Sequence, residues 1–199
     1  MIYTTETLRE ALSEYKNPND KIHRMIQERK LFPVVKGLYT TDPQINGKFL
    51  AGSIYGPSYL SFDYALVQYH LINKIPSAFQ SATCCKHKTK QYDTKYGRFT
   101  YRDVPEEVFP LFVRDMGAAG KTYRIASPEK ALCDKLYSMR PAENMAELET
   151  MVFDFIGIDR RHFRSLHLDD ILCMGEKYHS RNVKLLMDVA LKTILGKQE

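Results

Sequence analysis

The stretch from Gly56 to Ile72, GPSYLSFDYALVQYHLI, constrains the fold more than any other part of the chain. Gly56-Pro57 reads as a turn, because proline fixes φ and donates no ladder hydrogen bond. Ser58, Tyr59 and Leu60 then read as a short extended piece. Ser61 fits a helix N-cap, with Asp63 in the first turn where the helix dipole favours an anion. Phe62, Ala65, Leu66 and Tyr69 fall at i, i+3, i+4 and i+7 and make one apolar face. Asn73 and Pro76 close the helix soon after Ile72. Such a unit must pack on its neighbours from both sides, so it is expected at the centre of the core. None of its side chains forms a catalytic set.

A core of that kind needs apolar bulk, and 44% of the 199 residues are hydrophobic. That is enough for one large domain or a small one beside a medium one, and it argues against disorder. The formal net charge is +5, which permits a polyanionic partner without requiring one. Cys84, Cys85, Cys133 and Cys173 show no CxxC spacing, and no secretory leader is read ahead of them; a reduced, cytoplasmic setting is expected. No apolar run is long enough to cross a bilayer, so no membrane partner is expected.

At the N-terminus, Thr4 or Thr5 can cap a helix whose buried face is Leu8, Ala11, Leu12 and Tyr15. Asn17-Pro18 starts a second helix, with Ile22, Met25 and Ile26 inward and Asn19, Lys21, His23, Arg24 and Gln27 toward solvent. Residues 31–35 and 38–41 flank Lys36-Gly37, a turn in which glycine supplies positive φ. Two short helices and a β-hairpin outline a winged helix-turn-helix over residues 1–41. From Lys16 to Lys36 six basic residues meet two acids, a local net of +4. Lys21 and Arg24 are expected to reach base edges or phosphates, with Gln27 a further candidate; Arg29, Lys30 and Lys36 are expected nearer the backbone of a duplex. A solvated charged face is the alternative reading of the same residues.

Residues 42–199 read as a larger α/β domain. After Pro76 the pattern turns to period two, giving strands over 78–83, 89–92, 98–101, 111–116 and 122–126, a mainly antiparallel sheet. The fold class expected is therefore α+β, with helices at the C-terminal end. Lys86, Lys88, Lys90, Lys95, Arg98 and Arg102 face a single acid, Asp93, a net of +5 over residues 86–102 that predicts a second basic surface. Cys84-Cys85-Lys86-His87 is not read as a metal site, because adjacent cysteines do not both face one ion easily and no second ligand pair follows; Cys84 is expected to be a small buried hydrophobe. Ser127-Pro128-Glu129 opens a helix whose Ala131, Leu132, Leu136 and Tyr137 pack inward, while Lys130, Asp134 and Lys135 are expected to face out or lie at an edge. Leu148, Met151, Val152 and Phe155 mark another helix face, in a section where seven acids meet four arginines. The last helix, 182–195, is apolar nearly all round and so is either buried or docked.

Four fragments occur in order: RMIQERKLFPVVKGLYTTD (24–42), LAGSIYGPSYLSFDYALVQYHLI (50–72), YGRFTYRDVP (96–105) and YRIASPEKALCDKLY (123–137). Together the chain resembles the AbiEi family, the antitoxins of type IV toxin–antitoxin pairs. The resemblance implies an N-terminal winged helix that binds operator DNA upstream of its own operon and represses it. It also implies a C-terminal domain that opposes a nucleotidyltransferase-like toxin from the adjacent gene, without a stable complex. By the same resemblance Lys21, Arg24 and the wing Lys36 are DNA contacts. The competing expectation is an interaction module that neutralises a toxin or binds RNA through residues 42–199 without specific DNA binding. No nucleophile–base pair, phosphate-cradling glycine loop or metal spacing is read, so neither an enzyme nor a cofactor is expected.

Overall fold

The computed structural model describes residues 1–118 and 120–196. The chain opens with β1 (Ile2–Thr4), α1 (Thr5–Ala11), α2 (Pro18–Gln27), β2 (Phe32–Val35) and β3 (Leu38–Thr40). Thr4 caps α1 in a reciprocal box: its hydroxyl accepts from the Thr7 amide while the Thr7 hydroxyl accepts from the Thr4 amide. Asn17 stands at the N-cap of α2, but its side-chain amide donates to Asp20 Oδ2 at 2.8 Å instead of capping the helix. The three strands form an antiparallel sheet in the order β1-β3-β2. At the hairpin turn Gly37 adopts φ +84°, and its carbonyl accepts from the Thr5 amide at 2.9 Å, which holds the turn against the start of α1. The first strand is too short for its alternation to register in the sequence.

This N-terminal unit has two apolar sides. Leu8, Ile22 and Leu31 form a small cluster with Leu12, Met25 and Ile26 around it. Val34 and Leu38, from the hairpin, belong instead to the main core. Residues 1–41 thus fold around one core and contribute to a second.

The chain continues through a 3₁₀ turn (Gly47–Phe49), α3 (Ala51–Ile54), β4 (Tyr59–Leu60), α4 (Phe62–Gln68), β5 (Phe79–Thr83), β6 (Lys90–Thr94), β7 (Gly97–Asp103), β8 (Val113–Ala118) and β9 (Lys121–Ala126). The six strands lie in the order β6-β7-β5-β4-β9-β8. The sheets are mainly antiparallel, but β5 with β7 and β4 with β9 run parallel. The helix of the 56–72 stretch is shorter than its periodicity predicts. It ends at Gln68, His70 takes φ +58°, and Leu71 and Ile72 remain buried beyond the helix end. Its residues do sit in the core, where Leu60, Phe62, Ala65 and Leu66 are all buried.

Then follow α5 (Pro128–Tyr137), α6 (Met145–Glu149), a π-helical turn (Thr150–Ile156), α7 (Arg160–Ser165), α8 (Leu168–Gly175) and α9 (Arg181–Leu195). Ser127 caps α5, accepting from the Lys130 amide. The π turn corrects one expectation: closing i to i+5 adds a residue to the turn, so Ile156 points inward and Phe155 is 68% exposed. The molecule is α+β, with helices gathered at its C-terminal end. Among the described residues no helix is long and apolar enough to cross a membrane.

Candidate nucleic-acid interface

The α2 helix turns Ile22, Met25 and Ile26 toward α1 and leaves a polar side to solvent. On that side Lys16, Lys21 and Arg24 gather round one depression of about 530 Å³, together with Tyr15, Asn17 and Asp20. The Lys21 ammonium lies 4.9 Å from the centroid of the Tyr15 ring, a contact that orients the cation at the mouth of the helix. Arg24, one turn on, is exposed. Gln27 is engaged with His23, Nε2 to Nε2 at 3.2 Å. Arg29 lies just past the helix end at φ +55° and is exposed, as is Lys36 in the hairpin turn. Lys30 pairs with Glu28 at 2.7 Å, and the ammonium beside Glu28 holds its carboxyl below the usual range. Lys21 and Arg24 thus come together, joined by Lys16, whereas Lys30 and Gln27 are partly occupied within the chain. Lys16 is missing from the contacts expected from the sequence; its place just before the N-cap is the signal that could have found it.

The second basic region does not form one uniform surface. Lys88 and Arg102 share a depression of about 500 Å³ with His87, Thr89, Asp103 and Ser138. Lys86 is half-buried, its ammonium 5.5 Å from the Tyr55 ring centroid. Lys90 lies opposite Tyr101 in the β6–β7 register, while Arg98 pairs with Asp93 at 2.6 Å. Lys95 bridges the two units, lying 4.7 Å from the Phe32 ring of β2 and 4.9 Å from Tyr96. The turn over 84–87 is gathered by the Asp103 carboxylate. Oδ2 accepts from the amides of Lys86 at 2.8 Å and His87 at 2.6 Å, and Oδ1 accepts from the Thr83 hydroxyl at 2.5 Å. Cys84 is only half-buried rather than buried, and desolvation together with contacts to Cys84 and Glu106 pushes the Cys85 thiol up to about 11. Among the described residues no group of three or more His, Cys, Asp or Glu side chains could hold a metal ion.

A further polar cluster lies inside α5, where Lys130 and Asp134 were expected at the surface; both are fully buried. Asp134 accepts from Ser61 Oγ at 2.6 Å, Tyr178 at 2.6 Å and Tyr59 at 3.1 Å. The Lys130 ammonium donates to the Val108 carbonyl at 2.7 Å and stands 3.5 Å from Asp134 Oδ1. It also lies over the Tyr59 and Tyr178 rings, at 5.2 and 5.4 Å. Desolvation lowers the Lys130 pKa and Asp134 opposes that shift; burial first, and then Asp134, push both tyrosines well above their ordinary values. The correction has a simple source. Charged residues on a helix are expected to face out or lie at an edge, since lysine and aspartate are seldom buried unless paired. Here the pair is one part of a closed network joining β4, α5 and the 3₁₀ turn before α9. With no solvent access, it locks elements together and offers no site for a ligand.

Set against models of known protein families and against curated proteins, the chain finds no match in either comparison.

Proposed function

We propose that the chain is the antitoxin of a type IV toxin–antitoxin pair. On this reading residues 1–41 are a winged helix-turn-helix that binds the DNA upstream of its own operon. Residues 42–199 oppose a nucleotidyltransferase-like toxin from the adjacent gene in the cytoplasm. The observation that carries the DNA part is the order β1-α1-α2-β2-β3 with the sheet order β1-β3-β2, and α2 presenting Lys21 and Arg24 on its solvent side. A helix set across a small sheet with a hairpin beside it suits a major groove and its flanking backbone. The antitoxin part rests on the four fragments that resemble the AbiEi family.

The test is an anisotropy titration of the upstream fragment against random duplex at several salt concentrations. Arg24→Ala is expected to weaken binding by about 1–3 kcal/mol if it meets a base, with relaxed sequence preference. Lys36→Ala is expected to weaken all sequences alike and to lower the log–log salt slope by about 1. Equal binding of the upstream and random duplexes by the unmutated protein would overturn the repressor reading. The alternative, an interaction module without specific DNA binding, draws support from one observation: the hairpin turn is tied back to Thr5 and projects little beyond the sheet.

A further inference from the structure

Strands β4 and β9 run parallel, and their register holds at Leu60 and Ile125 alone. On the side of this pair where β4 begins lies a cleft of about 340 Å³, between the 48–59 segment and the β8–β9 hairpin. Three of its groups carry chemistry that the fold does not use. Lys48 lines it, half-buried, with its ammonium 4.9 Å from the Tyr123 ring centroid and 5.3 Å from Phe49. Arg124 lines it from β9. Among the described residues neither cation has a carboxylate within ion-pair distance, although eight other basic groups do. Ser58 also lines the cleft; it is only 5% exposed, and its hydroxyl has no hydrogen-bond partner among the described residues. A buried hydroxyl left so costs about 1–3 kcal/mol, a cost that a ligand's acceptor atom would offset.

We propose that this cleft binds a nucleoside 5′-monophosphate. Two cations without carboxylate partners and a buried hydroxyl without a hydrogen-bond partner line this one cleft, and such groups are the ones that a phosphate monoester recruits. The cleft has the size of a small-molecule site, about 300 Å³ at the lower end of that range, and so exceeds what a bare phosphate fills. The rest of its lining suits a nucleoside. Phe49 and Tyr123, edge to face at 5.5 Å, supply aromatic surface, and every base has a π-face to lay on such a surface. Asp115 stands opposite Arg124 in the β8–β9 register without ion-pairing to it, and its carboxylate accepts from ribose hydroxyls. A bare phosphate brings no sugar hydroxyls to that carboxylate, so its hydrogen bonds favour phosphate carried on a sugar. The site is separate from α2 and stands or falls independently of the DNA reading.

The experiment is calorimetric titration of the full chain with the four ribonucleoside 5′-monophosphates, inorganic phosphate and adenosine. A monophosphate is expected to bind one to one and tighter than either phosphate or adenosine. Lys48→Met, which keeps the alkyl stem on the rings, and Arg124→Gln are each expected to lower that affinity at least tenfold. Asp115→Asn should narrow the preference for nucleotide over inorganic phosphate. Lys88→Gln, outside the cleft, should change nothing. Circular dichroism and ligand-free melting confirm that each variant is folded; should Lys48→Met fail to fold, Arg124→Gln decides alone. Three results would overturn the proposal: no monophosphate binding at millimolar concentration, inorganic phosphate binding as tightly as the nucleotide, or folded variants that bind like the parent.

Discussion

Asp134 accepts three hydroxyl hydrogen bonds in a fully buried site, and Lys130 supplies the balancing charge. Removing one partner of a buried pair strands the other, which costs about 3–5 kcal/mol. Asp134→Ala is expected to lower stability by that amount, read from urea midpoints at constant m. Its tyrosine partners set a pH dependence. Unfolded tyrosines release their protons near pH ~10. Tyr59 and Tyr178 are held neutral above that value when folded, so the unfolded state binds fewer protons and stability falls as pH rises past the unfolded pKa. Lys130 acts in the opposite sense, because its lowered pKa means that the folded chain sheds the proton first, so its contribution grows with pH until the unfolded lysine also titrates. Tyr178→Phe should therefore lose less stability than the parent between about pH 9.5 and 11. An unchanged loss across that interval would remove Tyr178 from the account.

At the scale of elements, alternation and caps were legible while three-dimensional competition was not. Strands β5 to β9 lie within a few residues of where period two puts them, and Ser127 caps its helix as its sequence suggests. Ser61 stands at the N-cap of α4 but makes no cap hydrogen bond, because its hydroxyl is taken by Asp134, 73 residues away. No local pattern encodes such a partner. The candidate interface divides in the same way. Lys21 and Arg24 fall together because one helical turn separates them. The second basic run scatters, since strand pleating sends neighbouring residues to opposite faces and Asp93 and aromatic rings engage several of its charges. Close packing also makes one glycine necessary. A methyl group at Gly47 would overlap the Phe79 ring, which stacks on Phe99 at 5.0 Å. Gly47→Ala is expected to cost about 1–3 kcal/mol by forcing that ring aside, measured as a lower urea midpoint.

For the whole molecule, the hairpin decides how its parts behave together. Val34 and Leu38 are packed in the core of the large sheet, Lys95 of the β6–β7 turn lies over Phe32, and Lys121 pairs with Asp42 at 2.8 Å. The seam is therefore both apolar and ionic. Calorimetry is expected to show one cooperative transition with equal calorimetric and van't Hoff enthalpies, in place of two resolved ones. Val34→Ala should shift that transition without splitting it, at a cost of about 1–3 kcal/mol. There is a consequence for how such a protein diversifies. A unit whose hairpin is part of another unit's interior does not move between genes as a cassette. Recombination near residue 42 would leave a hole in one product and an uncovered apolar strand in the other. On the DNA-binding reading proposed above, new recognition is then reached by point substitution along the outward side of α2, where side chains change without disturbing either core.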